Sequence, residues 1–208
     1  MTRKAIALRH FKRVDPRLYT ATKSHHTSLP MQILGKKTRA QLFASLVSTV
    51  VSQQLGLAAA AAILSRVKEA CKGRLTPETV LGVSPAVLRK TGLSGAKIKT
   101  LKEISKAVKN NSLDLLSLKK TSEAEAAEQL LKIWGLGPWS AEMFLMFALG
   151  RPDVFSPGDL GLIRAMETIY GLPKGAPRTS LLAIAEKWSP HRTYASLLLW
   201  RSRDTTAG

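Results

Sequence analysis

Two stretches of the chain carry residues whose type and spacing suggest chemistry. The first, LLKIWGLGPWSAEMFLMFALG, sets Gly135 and Gly137 between two helical patterns. A helix–Gly-x-Gly–helix hairpin exposes backbone N–H groups at the start of its second helix. Those amides, aided by the helix dipole, bind a phosphate without any side chain. Such a hairpin holds a nucleic-acid backbone without reading bases. A plain corner between packed helices needs the same glycines, so the spacing alone leaves both readings open. The second stretch is VFSPGDLGLIRAM, with Asp159 just ahead of a helical pattern. Its carboxylate caps that helix by accepting N–H bonds from the first turn. A capped carboxylate is also fixed in direction, so the same residue can serve as a catalytic anion.

Charge says what the hairpin would meet. The 208 residues hold 32 Lys+Arg against 14 Asp+Glu, a net charge of +18. Asp15 is the only acid before Glu69, in a stretch holding Arg3, Lys4, Arg9, Lys12, Arg13, Arg17, Lys23, Lys36, Lys37, Arg39, Arg66 and Lys68. A folded chain this basic pairs with a polyanion, and nucleic acid is the first candidate. Cys71 is the single cysteine, which excludes a disulfide framework, a four-Cys zinc site and a four-Cys iron–sulfur cluster. His25 and His26 are neighbours whose side chains diverge, with no further ligand cluster, so they read as loop. No apolar run reaches the roughly 18 residues that a membrane span needs. The start, MTRKAIALRHFKR, lacks a secretory h-region and reads as a first helix.

Helices must position these groups, and the punctuation supports an all-α chain. Residues 4–13 read as helix and 20–38 as irregular. Arg39 to Cys71 forms two helices broken at Gln54-Leu55-Gly56. Thr76-Pro77 and Ser84-Pro85 are helix starts, with a cap followed by proline at the first helical position. Gly92-Leu93-Ser94-Gly95 is a tight turn before AKIKTLKEISKAVKN. Ser122 opens a helix with an acidic first turn, and another runs from Pro138 through Leu149. Further helices cover about 179–188 and 190–201.

Four motifs in this order carry a resemblance: SQQLGLAAAAAI (52–63), GLSGAKIKTLKEI (92–104), IWGLGPWSAEMFLMFALGRPDVFSPGDLGLIRA (133–165) and SPHRTYASLLLW (189–200). Together they resemble the helix-hairpin-helix–GPD superfamily of DNA glycosylases, and most of all its 3-methyladenine DNA glycosylase II branch in its short, all-helical form. The resemblance implies two helical lobes with the hairpin motif and an active-site cleft between them. It implies one domain over residues 1–208. Within it, 1–38 is an N-terminal helix and loop packing on the second lobe. Residues 39–131 form a helical lobe, and 132–208 hold the hairpin, the catalytic aspartate and the C-terminal helices.

The same resemblance implies roles. Asp159 is the catalytic aspartate. Bifunctional relatives carry a lysine after the hairpin where this chain has Trp139, and a tryptophan forms no Schiff base. The implied enzyme is therefore a monofunctional glycosylase that flips out alkylated purines of the 3-methyladenine and 7-methylguanine type and leaves an abasic site. Trp139, Met143 and His191 would line the base pocket, with Phe43 or Trp200 as further aromatic candidates. Leu55 would be the wedge and Gln54 the plug that fill the gap in the duplex. Gly135, Gly137, Lys97 and Arg192 would meet the DNA backbone, as would Lys99. No cofactor is required, although the carbonyls of Leu131, Ile133 and Leu136 could hold a monovalent cation.

Met143, His191 and Gly158 depart from the family, where aromatics and a second aspartate are common, which implies a thinner aromatic cage and less local negative charge. The implied partner is double-stranded DNA with damaged bases, bound by a monomer, with no membrane. The implied location is intracellular: cytoplasm or nucleoid in a bacterium, nucleus in a eukaryote. Two alternatives remain. One is a DNA-structure-binding protein of the same fold with weak or no catalysis. The other is a glycosylase for mismatched or deaminated bases.

Overall fold

Small polar residues and prolines decide where the helices start. The computed structural model describes residues 1–30 and 37–204, so part of the irregular stretch expected over 20–38 lies outside the described residues. Thr2 caps α1 (Arg3–Val14), and Asp15 ends it while capping α2 (Pro16–Ala21). Pro16 fits there because the first helical N–H has no partner in any case. The Thr38 and Gln41 side chains form a reciprocal capping box on α3 (Arg39–Ser52). Gly56 precedes α4 (Leu57–Ala70). Thr76, Ser84 and Ser94 cap α5 (Pro77–Gly82), α6 (Pro85–Lys90) and α7 (Gly95–Lys109). Ser122 and Glu125 make another capping box on α8 (Glu123–Leu131), and the hairpin leads into α9 (Pro138–Phe147). Asp159 caps α10 (Leu160–Tyr170), which stops at Gly171 with φ 65°. The chain continues through α11 (Arg178–Glu186) and α12 (Arg192–Asp204). Among the described residues there is no strand, and no helix is long and apolar enough to cross a membrane. The fold is all-α.

The chain divides into two compact units, one running from Leu34 to Leu149 and the other combining the chain up to Ile33 with that from Gly150 on. The division falls after Leu149, whereas the resemblance placed the second lobe from residue 132. The hairpin and α9 belong with α3 to α8, because the apolar face of α9 packs on α3 and α8 rather than starting a new core. In this unit Leu42, Phe43, Leu46, Val47 and Val50 of α3 are buried, with Leu101, Ile104 and Val108 of α7 and Phe144 of α9.

Two lysines of α7 hold other helix ends in the same unit. Lys102 donates to the carbonyls of Val80 (2.7 Å), Leu81 (2.9 Å) and Val83 (2.6 Å), closing α5. Lys97 donates to Val51 (2.8 Å) and Gln53 (2.7 Å), closing α3. An ammonium suits these positions because the last carbonyls of a helix are unsatisfied and carry the negative end of its dipole. Burial lowers the pKa of both lysines.

The second unit is organised on an acid. Phe11, Leu18, Leu162, Met166, Trp188, Tyr194 and Leu198 form its core. Asp15 is only 6% exposed. Its Oδ1 accepts the Leu18 N–H (3.0 Å), while Oδ2 accepts the Tyr170 hydroxyl (2.6 Å) and the Trp188 indole N–H (2.8 Å). Burial pushes the Tyr170 phenol far above its ordinary range, and the Asp15 carboxylate adds to the shift. One residue thus ends α1, starts α2 and ties both to α10 and to Trp188, just beyond α11. Asp15→Ala would leave two aromatic donors without an acceptor. It should destabilise the fold by about 3 kcal/mol in denaturant titration, since each orphaned buried donor costs roughly 1–3 kcal/mol. Asp15→Asn, which keeps acceptor oxygen, should cost less.

Candidate DNA interface and carboxylate site

The turn after α3 is built from the SQQLG sequence. Gln53 ends the helix with extended ψ, and Gln54 follows at φ 56°, a left-handed conformation uncommon for a residue with a side chain. The Lys97 ammonium fixes this turn from below through the Gln53 carbonyl. The result is a projecting tip with large apolar groups in solvent: Leu55 is 38% exposed and Leu57 is 87% exposed. Strain held in place beside exposed leucines is the pattern of a contact site rather than of a core corner. Of the two glutamines, the inner one links elements. Gln53 Nε2 donates to the Ser140 hydroxyl (2.8 Å) and the Gly135 carbonyl (3.2 Å), joining the tip to the hairpin. Gln53 and Leu57 were not foreseen; helical periodicity does not say which glutamine of a pair turns inward at a break.

In the hairpin, the two glycines do different things. Gly135 has φ 84°, and a Cβ there would lie 1.9 Å from Thr100 Oγ1 on α7. The hairpin therefore sits directly against α7. At Gly137 a Cβ would meet nothing within 4 Å, and no side chain caps α9. That end of the helix is open, as an amide-based phosphate site requires. Trp139 is half-buried in the first turn of α9, and Met143, one turn on, is buried. Phe43 is wholly buried and serves the core instead. The Ile133 carbonyl accepts the Leu136 N–H at 3.1 Å. Lys132, nearest to the hairpin, pairs with Glu128 at 3.0 Å.

In the other unit, Asp159 Oδ1 accepts the Leu162 N–H at 2.9 Å, the expected cap, and also the Trp200 indole N–H at 2.9 Å. Two donors converging on one oxygen fix the carboxylate plane. Gly161 makes room for this, since a Cβ there would lie 3.0 Å from both Asp159 Oδ1 and Trp200 Cδ1. The glycine in the GDLG sequence was the available signal. Its partner on α12 was not legible.

Three residues expected at the DNA or in the base pocket have partners within the fold. Lys97 was assigned to phosphate, but its ammonium is engaged by the α3 carbonyls. Arg192 was also assigned to phosphate. Its fork instead closes on Asp153, Nε to Oδ1 at 2.8 Å and Nη2 to Oδ2 at 2.9 Å. Burial alone would raise the Asp153 pKa; the bonds from Arg192 and Ser189 outweigh it and hold the carboxyl below its ordinary value. His191 was assigned to the base pocket. Its ring lies 5.4 Å from that of His10, in a cavity of about 340 Å³ lined by Met1, Ile6, Arg9, His10 and Arg13. Burial, with His10 adding to it, lowers the His191 pKa.

One unit thus carries a projecting tip and a hairpin with an open helix start, and the other a capped, doubly bonded aspartate. The chain belongs to the HhH-GPD superfamily of base excision DNA repair proteins, whose family model matches residues 47–191. It is 33% identical over 163 residues to DNA-3-methyladenine glycosylase 1 of Schizosaccharomyces pombe, covering 77% of this chain and 72% of that one. It is 34% identical over 126 residues to the Bacillus subtilis protein YfjP, covering 61% of this chain and 44% of the relative, so it spans less than half of that protein's length. A solved Schizosaccharomyces pombe 3-methyladenine DNA glycosylase in complex with abasic DNA superposes with a TM-score of 0.83 at 29% identity, covering 94% of this chain and 95% of that one.

Gly135→Ala should cost about 3 kcal/mol, from an unfavourable φ and an overlap that α7 cannot relieve. Gly135→Ala combined with Thr100→Ala should recover part of that loss, because the Oγ1 overlap goes while the φ penalty stays. Urea unfolding of the single and double variants measures both terms.

Proposed function

We propose that the protein is a monofunctional DNA glycosylase that hydrolyses the N-glycosidic bond of alkylated purines in duplex DNA, leaving an abasic site. The observation that carries this reading is the Asp159 carboxylate, fixed by Leu162 N–H and Trp200 N–H on one oxygen. The names of the relatives support the substrate class, and the relative solved on abasic DNA supports the product.

The chemistry asks little of the protein. Alkylation at N3 or N7 leaves a purine cationic. When the C1′–N bond breaks, its electron pair neutralises the base, which departs without a general acid. The sugar is left as an oxocarbenium-like cation, and a fixed carboxylate stabilises that charge. Water adds at C1′ and gives up one proton to solvent. Leu55, on its strained tip, is the wedge that occupies the emptied stack, with Gln54 beside it. Trp139, one turn before Met143 on α9, supplies an aromatic face whose quadrupole favours a cationic base. Gly137 and the open start of α9 take a phosphate. Backbone carbonyls at Leu131, Ile133 and Leu136 are the donor class a monovalent cation prefers, and a cation there would add positive charge toward that phosphate.

Asp159→Asn should retain duplex binding and the helix cap but lower single-turnover release of methylated purines by more than 100-fold. Trp200→Phe should lower the same rate about 10-fold with binding unchanged, through loss of orientation alone. Released bases identified by mass, with the strand intact until alkali is added, measure both. Excision within threefold of the parent in Asp159→Asn removes the assignment.

A further inference from the structure

Away from the hairpin amides, the same unit holds an open groove of about 650 Å³ between α6 and α7, lined by Pro85, Ala86, Arg89, Gly95, Ile98 and Lys99, with Lys90 and Lys102 at its edges. Its chemistry is divided. The floor is apolar, made by Pro85, Ala86 and Ile98. The rim is cationic, and no acid lines it. Lys102 faces inward, with its ammonium on three carbonyls, and so contributes a wall rather than a contact. Arg89 and Lys90 are exposed at the end of α6. The Arg89 guanidinium lies over the first turn of α7, where a Cβ on Gly95 would meet Nη2 at 3.1 Å.

Lys99 connects the groove to the hairpin. Its ammonium sits 4.1 Å from the centre of the Trp134 ring. Trp134 lies in the hairpin next to Gly135 and is 47% exposed, although a large aromatic gains by burial. The cation–π contact keeps the lysine head at the boundary between hairpin and groove.

We propose that this groove is a second DNA-backbone track, continuous with the hairpin through Trp134 and Lys99, in which Arg89 and Lys90 take successive phosphates. An apolar floor under a cationic rim fits a sugar–phosphate strand, whose deoxyribose faces are apolar and whose charges recur along one edge. An isolated small anion has no use for the floor. The inference rests on duplex DNA being the ligand, as in the proposed function, but not on base excision.

Binding of an undamaged duplex across a salt series tests it. Each phosphate contact contributes about 0.9 to the slope of log K against log salt, so Arg89→Ala/Lys90→Ala should lower that slope by about 1.8. Lys68→Ala/Lys109→Ala removes the same charge outside the groove and should leave the slope near the parent value. Equal slopes in both double variants, or an unchanged slope in the groove variant, overturn the proposal. Poly-glutamate separates the remaining source: if its affinity falls as much as that of DNA, the groove is a site for acidic polypeptide and the DNA track is wrong. Because the readout is binding, a parent protein that releases no base would remove the proposed function while leaving this result interpretable.

Discussion

The absence of a Cβ at Gly135 lets the hairpin lie on α7, and the hairpin-bearing unit depends on that contact. With Thr100 filling the space a side chain would need, α7 becomes a spine for the loops around it. Lys97 holds the tip with Gln54 and Leu55, Lys99 covers Trp134, Thr100 seats the hairpin, and Lys102 closes α5. Four positions in one and a half turns of helix therefore fix elements far apart in sequence. The lysines act as helix caps first, which removes Lys97 from the basic surface although the sequence counts it there.

The other unit is organised by its scarce acids. In a chain with more than twice as many bases as acids, Asp15, Asp153 and Asp159 each accept several directed hydrogen bonds. Asp15 takes Tyr170 and Trp188 and builds the core. Asp153 takes Arg192 and Ser189 and sets the entry to α12. Asp159 takes Leu162 and Trp200. The first two are buried or paired in ways that explain them structurally. Asp159 is fixed as firmly, yet caps its helix beside the exposed Gly158. That difference supports the proposal that Asp159 is the carboxylate used for chemistry.

Sequence alone determined the element list, because caps, prolines and glycines are local signals: Thr38, Ser94, Ser122 and Asp159 each start the helix that their chemistry dictates. It also determined the break at Gln54, the hairpin at Gly135 and Gly137, and the family, since all lie within short continuous motifs. Tertiary structure decided what each charged or aromatic side chain does, because that depends on partners distant in the chain. By sequence Arg192 and Lys97 are two cations among many, and only the fold sets Asp153 and the α3 carbonyls beside them. The fold likewise sets His10 beside His191. Trp200 was one aromatic among several, and only the packing of α12 on α10 brings its N–H to Asp159. The division into units has the same origin: whether α9 packs on α3 is a property of complementary apolar faces, which no local motif records.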